Sequence, residues 1–352
     1  MNTERIQTLI ETYALPRFRG EQLRQAFFRE HAASFDAITT LPKALRQKLD
    51  EEQSVLTVKP ELVMRSKEGN AFKALMVLSD GLRIETVLLM PKPGLWTTCI
   101  SSQVGCALKC SFCATGRLGF TRNLSAEEIT DQVLFWRQFM DREIQGQQLQ
   151  NVVYMGMGEP FQNKQAVFAS LSELSNNDTF NMGSRHLSVS TAGLVPAMME
   201  MADTHPQVNL ALSLHAANDD LRLKLMPINK KWTLEKLADA IRYWLDKTNR
   251  KLFIEYILID GTNDKPKHAE ELANWLLQFG RPHLIHVNLI PCNPTDNQVE
   301  GSRPDTARAF KQALDNRHIM ATIRKTLGRD LDGACGQLAL KTKQANSEAA
   351  SQ

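Results

Sequence analysis

Four of the six cysteines in this 352-residue chain fall between positions 99 and 113, namely Cys99, Cys106, Cys110 and Cys113; Cys292 and Cys335 stand far downstream. Cys106-Ala-Leu-Lys-Cys110-Ser-Phe-Cys113 has the spacing C-x3-C-x2-C. Close-set thiols in a chain of this kind mean metal or redox chemistry. A four-iron cluster normally takes four thiolates, so three would leave one iron open to a substrate or cofactor. The alternative is a structural zinc, which wants four ligands from paired halves. No second pair follows at that spacing, and the nearest histidine downstream is His186.

Other residues have chemistry to offer, each with a plain alternative. Gly156-Met-Gly158 begins like a dinucleotide fingerprint, but Phe161 stands where the third glycine belongs, so that reading fails. Cys335, between Ala334 and Gly336, would on its own be a small buried hydrophobe. Cys99 would be strand core, Glu85 in Arg83-Ile-Glu-Thr a solvated strand carboxylate, and His215 a structural histidine.

These groups need elements to position them. Length predicts one large domain with a smaller companion, able to bury a core without disulfides. No apolar run reaches the ~18–20 residues of a membrane span, and no apolar segment behind the first residues serves as a signal peptide. A reducing, cytoplasmic setting is expected. Residues 1–90 read as a small helical and α+β accessory domain, with Arg17, Arg19 and Arg24 on a helical face and strands at 57–63 and 71–78. From residue 91 to 340, short β-branched runs alternate with amphipathic helices, the pattern of repeated βα units. The runs are 97–102, 152–155, 187–190, 208–214, 252–259 and 285–290, with a further run at 321–323. The clearest helix, 126–140, opens with Ser125 and Glu128 spaced as a capping box. Six units fall short of an eight-fold barrel, so the α/β fold expected is a partial (β/α)6 barrel. The polar tail 341–352 is expected to be disordered.

The triplet, with Phe112 before its last cysteine, resembles the radical S-adenosylmethionine enzymes, which implies a partial (β/α)6 barrel and a 4Fe–4S cluster whose open iron binds S-adenosylmethionine. The resemblance narrows to the RlmN/Cfr adenosine methyltransferases. It rests on Cys99-Ile-Ser-Ser-Gln-Val-Gly-Cys106, Met155-Gly-Met-Gly-Glu-Pro160, Ser213-Leu-His215, Asn288-Leu-Ile-Pro291, Ala334-Cys-Gly-Gln-Leu338 and Arg17-Phe-Arg-Gly-Glu-Gln-Leu23, running from residue 10 to 340.

The resemblance implies roles. Cys106, Cys110 and Cys113 hold the cluster. Gly158 and Glu159 hold the amino acid end of S-adenosylmethionine, glycine for close approach and the carboxylate facing its ammonium. Ser190, Ser213, Leu214, His215 and Asn293, at strand ends where barrel enzymes place ligand contacts, meet its ribose, adenine and carboxylate. Cys335 carries a methyl group, Glu85 accepts a proton, and Cys99 pairs transiently with Cys335, a catalytic disulfide compatible with a reducing compartment. Family members have a large residue where Cys292 stands, so Cys292 receives no role.

Carbons 2 and 8 of adenine are poor nucleophiles, so ordinary methyl transfer does not reach them; radical chemistry needs a cofactor. The family scheme spends two S-adenosylmethionine molecules, one methylating Cys335 as a thiolate nucleophile, the other supplying a radical. The implied substrate is an adenosine of 23S ribosomal RNA, modified at carbon 2 (RlmN type, which also acts on tRNA) or carbon 8 (Cfr type, conferring antibiotic resistance). A monomer served by a flavodoxin- or ferredoxin-type electron donor, with no membrane partner, completes the expectation. The net charge of +3 does not itself argue for RNA. Phosphate contacts would come from Arg17, Arg19, Arg24, Arg117, Arg122, Arg324, Lys325 and Arg329, and the target base would have to leave its stack. Two other classes compete: a zinc-bearing RNA-binding module without catalysis, and a radical enzyme acting on a different substrate.

Overall fold

The computed structural model describes residues 1–293, 300–333 and 336–338. Cys335 and Ala334, and the tail 341–352, lie outside the described residues.

The N-terminal helices Thr3–Thr12, Phe18–Arg24 and Lys43–Glu52 turn Ile6, Leu9, Leu23 and Leu49 inward. After Arg24 the helix widens into a π-turn over Gln25–Arg29, which buries Ala26, Phe27 and Phe28; such bulges re-aim side chains within a helix. Arg29 then donates to the carbonyls of Asn177 and Thr179, tying this cap to the rest of the chain.

A meander follows, β1 (Val58–Arg65), β2 (Ala71–Leu78) and β3 (Arg83–Lys92), antiparallel throughout. The next strand, β4 (Leu95–Cys99), pairs antiparallel with β3. A hairpin of β5 (Gln103–Gly105) and β6 (Phe120–Asn123) brackets the cysteine loop. Then come β7 (Leu149–Tyr154), β8 (Leu187–Thr191), β9 (Asn209–Ser213), β10 (Leu252–Leu258), β11 (Ile285–Pro291) and β12 (Met320–Ile323), each parallel to its neighbour, with β7 parallel to β4. The ten-stranded order is β1-β2-β3-β4-β7-β8-β9-β10-β11-β12. The sheet is open, with β1 and β12 at its edges. The six expected units correspond to β4 and β7 to β11, and the further run is β12, which prolongs the parallel sheet.

The sequence marks Glu85 as a strand carboxylate but does not bound the strand, which the structure places at Arg83–Lys92. The run carries Pro91 and charged residues, and its strand character comes from pairing on both flanks, to β2 and to β4. Parallel strands sit between covering layers and so are buried on both faces, as β10 shows with only Phe253 short of full burial. Helix Ala126–Glu143 opens with the expected capping box, Ser125 and Glu128 bonding each other's backbone N–H. Helix Leu234–Thr248 buries Leu237, Ile241, Trp244 and Leu245 at helical spacing. No helix among the described residues is long and apolar enough to cross a membrane.

Candidate active site

The ends of the parallel strands surround one cavity. Its walls include Cys106, Cys110 and Cys113 from the loop after β5, and Gly158 and Glu159 after β7. Ser190, Ser213 and His215, from β8 and β9, complete the predicted residues there. Leu214 and Asn293 are buried but do not line it. Gly336, which follows Cys335, does line it.

The cysteine loop is held by backbone bonds. Cys106 N–H donates to Gly119 O at 2.7 Å, Ser111 N–H to Leu225 O at 3.0 Å and Cys113 N–H to Cys110 O at 3.1 Å. Lys109 takes a left-handed turn, φ 53°. Gly105, φ +76°, is required by the hairpin: a Cβ there would lie 1.9 Å from Gly119 O. The short helix Ala114–Arg117 reaches the other end of the chain, Ala114 N–H bonding Gly336 O at 2.8 Å and Thr115 Oγ1 bonding Leu338 O at 2.7 Å. The peptide flanking Cys335 is thereby fastened to the cysteine loop.

Burial pushes the Cys106 thiol up to about 12 and raises that of Cys110 as well. Such thiols stay protonated at neutral pH unless a cation replaces the lost water, which is what metal coordination does. Among the described residues no group of three metal-ligating side chains closes around a single ion, yet three thiols ring one cavity. Thiolates are the ligand type that an iron–sulfur cluster takes.

The remaining walls are neutral or internally satisfied. His215 stands at φ 61°, edge-on to Phe112 with ring centroids 4.8 Å apart. Its Nδ1 accepts from Ile257 N–H at 3.0 Å, so Nε2 carries the proton, as the network assigns it. Burial, then the charge of Arg222, depress its pKa to about 3 and keep the ring neutral. The hydroxyls of Ser190 and Ser213 lie 3.3 Å apart. Glu159 accepts from Phe161 N–H (3.0 Å), Thr191 Oγ1 (2.7 Å) and Ala192 N–H (2.8 Å). Burial raises its pKa against the pull of those bonds, and its carboxylate ties the loop after β7 to that after β8. Gly158, φ +103°, is glycine for a reason internal to the protein: a Cβ would sit 2.6 Å from Gln103 Cβ.

Three groups here escaped the sequence reading. Arg222, fully buried, donates to the carbonyls of Ala192 (2.7 Å), Leu214 (3.1 Å), Trp232 (3.2 Å) and Ser213 (3.4 Å) and to Asn229 Oδ1 (2.7 Å), bracing the cavity wall from behind. Glu255, on the wall, accepts from Asn288 Nδ2 at 2.8 Å and meets Arg324 Nη1 at 3.3 Å. Lys73, in β2, meets Glu85 at 2.9 Å; a lone cation in the apolar run Ala-Phe-Lys-Ala-Leu-Met was its only sequence signal. Two expected phosphate contacts are otherwise engaged. Arg324 faces Glu255 in the cavity, and Arg122 is paired with Asp80 (2.6 Å) and Glu128 (2.8 Å).

Glu85 and Cys99 lie beyond the cavity lining, on β3 and β4. Strand register puts Val87 opposite both Lys73 and Cys99, so with side chains alternating Lys73, Glu85, Val87 and Cys99 share one sheet face. Gly333, two residues before Cys335, lies against that face: a Cβ on it would be 3.7 Å from Lys73 Cδ and Val87 Cγ1. Ser101 Oγ donates to Glu85 O at 2.6 Å and accepts from Met157 N–H at 2.8 Å, joining this face to the glycine loop after β7. Cys292 does not line the cavity but packs in the same apolar cluster as Cys106, Phe112 and Ile257, its thiol raised to about 11 by burial.

Comparison with known proteins agrees with this geometry. Residues 100–276 match the radical SAM superfamily. A probable dual-specificity RNA methyltransferase RlmN of Halalkalibacterium halodurans is 41% identical, over 97% of this chain and 92% of its own. A ribosomal RNA large subunit methyltransferase Cfr of Shouchella clausii is 38% identical, over 95% of each. The crystal structure of a radical SAM methyltransferase from Sphaerobacter thermophilus superposes with a TM-score of 0.90 at 41% identity, covering 96% of this chain and 97% of that one. Sequence, fold and length therefore place the chain in the RlmN/Cfr family of radical S-adenosylmethionine RNA methyltransferases.

Proposed function

We propose that this enzyme methylates carbon 2 or carbon 8 of an adenosine in 23S ribosomal RNA through a methyl group carried on Cys335. The supporting observation is the single cavity at the strand ends, where three thiols, His215 and Gly336 meet. In this reading Cys106, Cys110 and Cys113 hold a 4Fe–4S cluster. Gly158, Glu159, Ser190, Ser213, Leu214, His215 and Asn293 hold S-adenosylmethionine. When bound, the pair supplies the methyl group and the carbon-radical chemistry that an unreactive ring carbon demands.

The chain's own residues then divide the work. Cys335, as thiolate, is the nucleophile that takes the methyl group. His215, neutral with hydrogen on Nε2, offers a donor into the cavity without adding charge. Glu85 accepts the ring proton of the base bound to Cys335. Cys99 attacks Cys335 to release the product, leaving a disulfide that external thiols reduce. Residues 1–90 form the RNA-binding accessory unit, 91–340 the catalytic core, and a flavodoxin- or ferredoxin-type protein supplies electrons to a cytoplasmic monomer.

Mass spectrometry of 23S ribosomal RNA and tRNA from cells with and without the gene tests this. An adenosine methyl present only with the gene locates the target carbon and shows whether tRNA is a second substrate; identical RNA in both strains overturns the reading. Cys99→Ala should accumulate a covalent RNA–protein species on denaturing gels, because release from Cys335 is blocked.

A further inference from the structure

We infer that Lys73 is a positioning residue for the proton-accepting step, holding the Glu85 carboxylate against the loop that leads to Cys335. The inference rests on the assignment of Glu85 as the base. Its Nζ lies 2.9 Å from Glu85 Oε1, and the two side chains are only 4% and 3% exposed. A carboxylate so far from water is costly unless a cation compensates it, and Lys73 is that cation.

The lysine also faces the C-terminal loop. Its Nζ is 3.4 Å from Asp332 O, and Gly333 packs beside its side-chain methylenes. The same edge of the meander holds that loop at further points: Lys67 N–H donates to Asp330 Oδ2 at 2.9 Å, and a Cβ on Gly328 would sit 3.3 Å from Ala71 Cβ. Lys73 thus touches both Glu85 and the peptide approaching Cys335. Glu85 is fixed from its other side by Ser101 Oγ on its carbonyl and Met157 Sδ, 3.3 Å from its N–H.

The chemistry explains why a cation belongs there. The ring C–H bond breaks, its electron pair stays in the base, and the proton passes to Glu85. Before transfer the pair is ammonium and carboxylate; afterwards it is ammonium and carboxylic acid. The ammonium keeps the resting carboxylate charged and aimed until the proton arrives. A methionine at this position would fill the same space without charge, removing the ammonium from the acceptor, and the enzyme would stall with the RNA still attached.

The test compares Lys73→Met, Lys73→Arg and Glu85→Gln in cluster-loaded enzyme with a transcribed 23S ribosomal RNA fragment. Denaturing gels read covalent RNA–protein adduct, mass spectrometry reads product, and S-adenosylmethionine binding and thermal melting report whether the fold survives. Lys73→Met is expected to melt below wild type yet stay folded and bind cofactor, but to lose product at least about tenfold and accumulate adduct, as Glu85→Gln does. Lys73→Arg should restore part of the product. If Glu85→Gln stalls while Lys73→Met either turns over normally or loses adduct and cofactor binding together, the lysine role is overturned and the base assignment stands. If Glu85→Gln itself turns over normally, the base assignment falls and takes the inference with it.

Discussion

The cofactor cavity and the Lys73–Glu85 face sit side by side but are built on opposite electrostatic terms. The cavity is desolvated: thiols driven up by burial, a histidine held neutral, a carboxylate raised despite three bonds. The neighbouring face carries a positive charge, Lys73 against Glu85. Their construction differs too. The cavity is assembled from successive loops at the ends of parallel strands, where each loop carries its own short motif. The Lys73 face joins an antiparallel meander to a loop some 260 residues later in the chain, as the 263-residue separation of Lys67 and Asp330 shows. One region expects a metal cofactor to complete it; the other is already balanced.

Changes confined to one region should leave the other standing. Cys110→Ala should abolish activity and strip the iron, while Cys335→Ala abolishes methylation yet keeps iron at the wild-type level; iron analysis and visible absorption read both. Equal iron loss in the two variants would erase the separation. Next in size is Arg222→Met, which orphans several buried carbonyls at about 1–3 kcal/mol each. Urea melts should show a total loss of at least about 3 kcal/mol, with cofactor binding weakened in parallel; a silent substitution would mean the wall needs no brace.

Gly105→Ala forces a side chain into a left-handed backbone, worth about 1–2 kcal/mol by itself, and into Gly119 O as well. Lower stability and reduced iron retention are expected together, since Gly119 O receives the N–H of Cys106. A further effect is a pH slope. His215 has a folded pKa of about 3 against 6.5 when free, so between those values the unfolded chain binds more protons than the folded one. Its contribution is fully present above pH 6.5 and is lost as pH falls, by about 1.4 kcal/mol per pH unit. His215→Asn, which tolerates the left-handed backbone, should narrow its stability gap to wild type between pH 6 and pH 4. A constant gap would mean that the ring is protonated in the folded state.

How legible each region was follows from the range of its interactions. The cysteine loop, the glycine loop after β7 and Ser213-Leu-His215 are contiguous strings, and the cavity residues they predicted converge. The capping box of helix Ala126–Glu143 was equally local. The extent of β3 was not legible, because it depends on partners at both flanks. Nor was Arg222, whose acceptors lie on strand-end loops that the helix sequence cannot reveal. The carboxylate partners of Arg122 and Arg324 were hidden for the same reason: charge is visible in a sequence, but its partner is not. For Gly158 the sequence could not show that a Cβ would also sit 2.6 Å from Gln103 Cβ, a residue more than fifty positions earlier.

By itself the sequence determined the cluster-binding spacing, the family and the run of βα units, because each is written in neighbouring residues or in short-period patterning. Only the tertiary structure decided which charges are spent internally, that the meander and the C-terminal loop share a face with Glu85 and Cys99, and that a buried lysine stands between them. Strand register and burial set those relations, and both are properties of residues far apart in the chain.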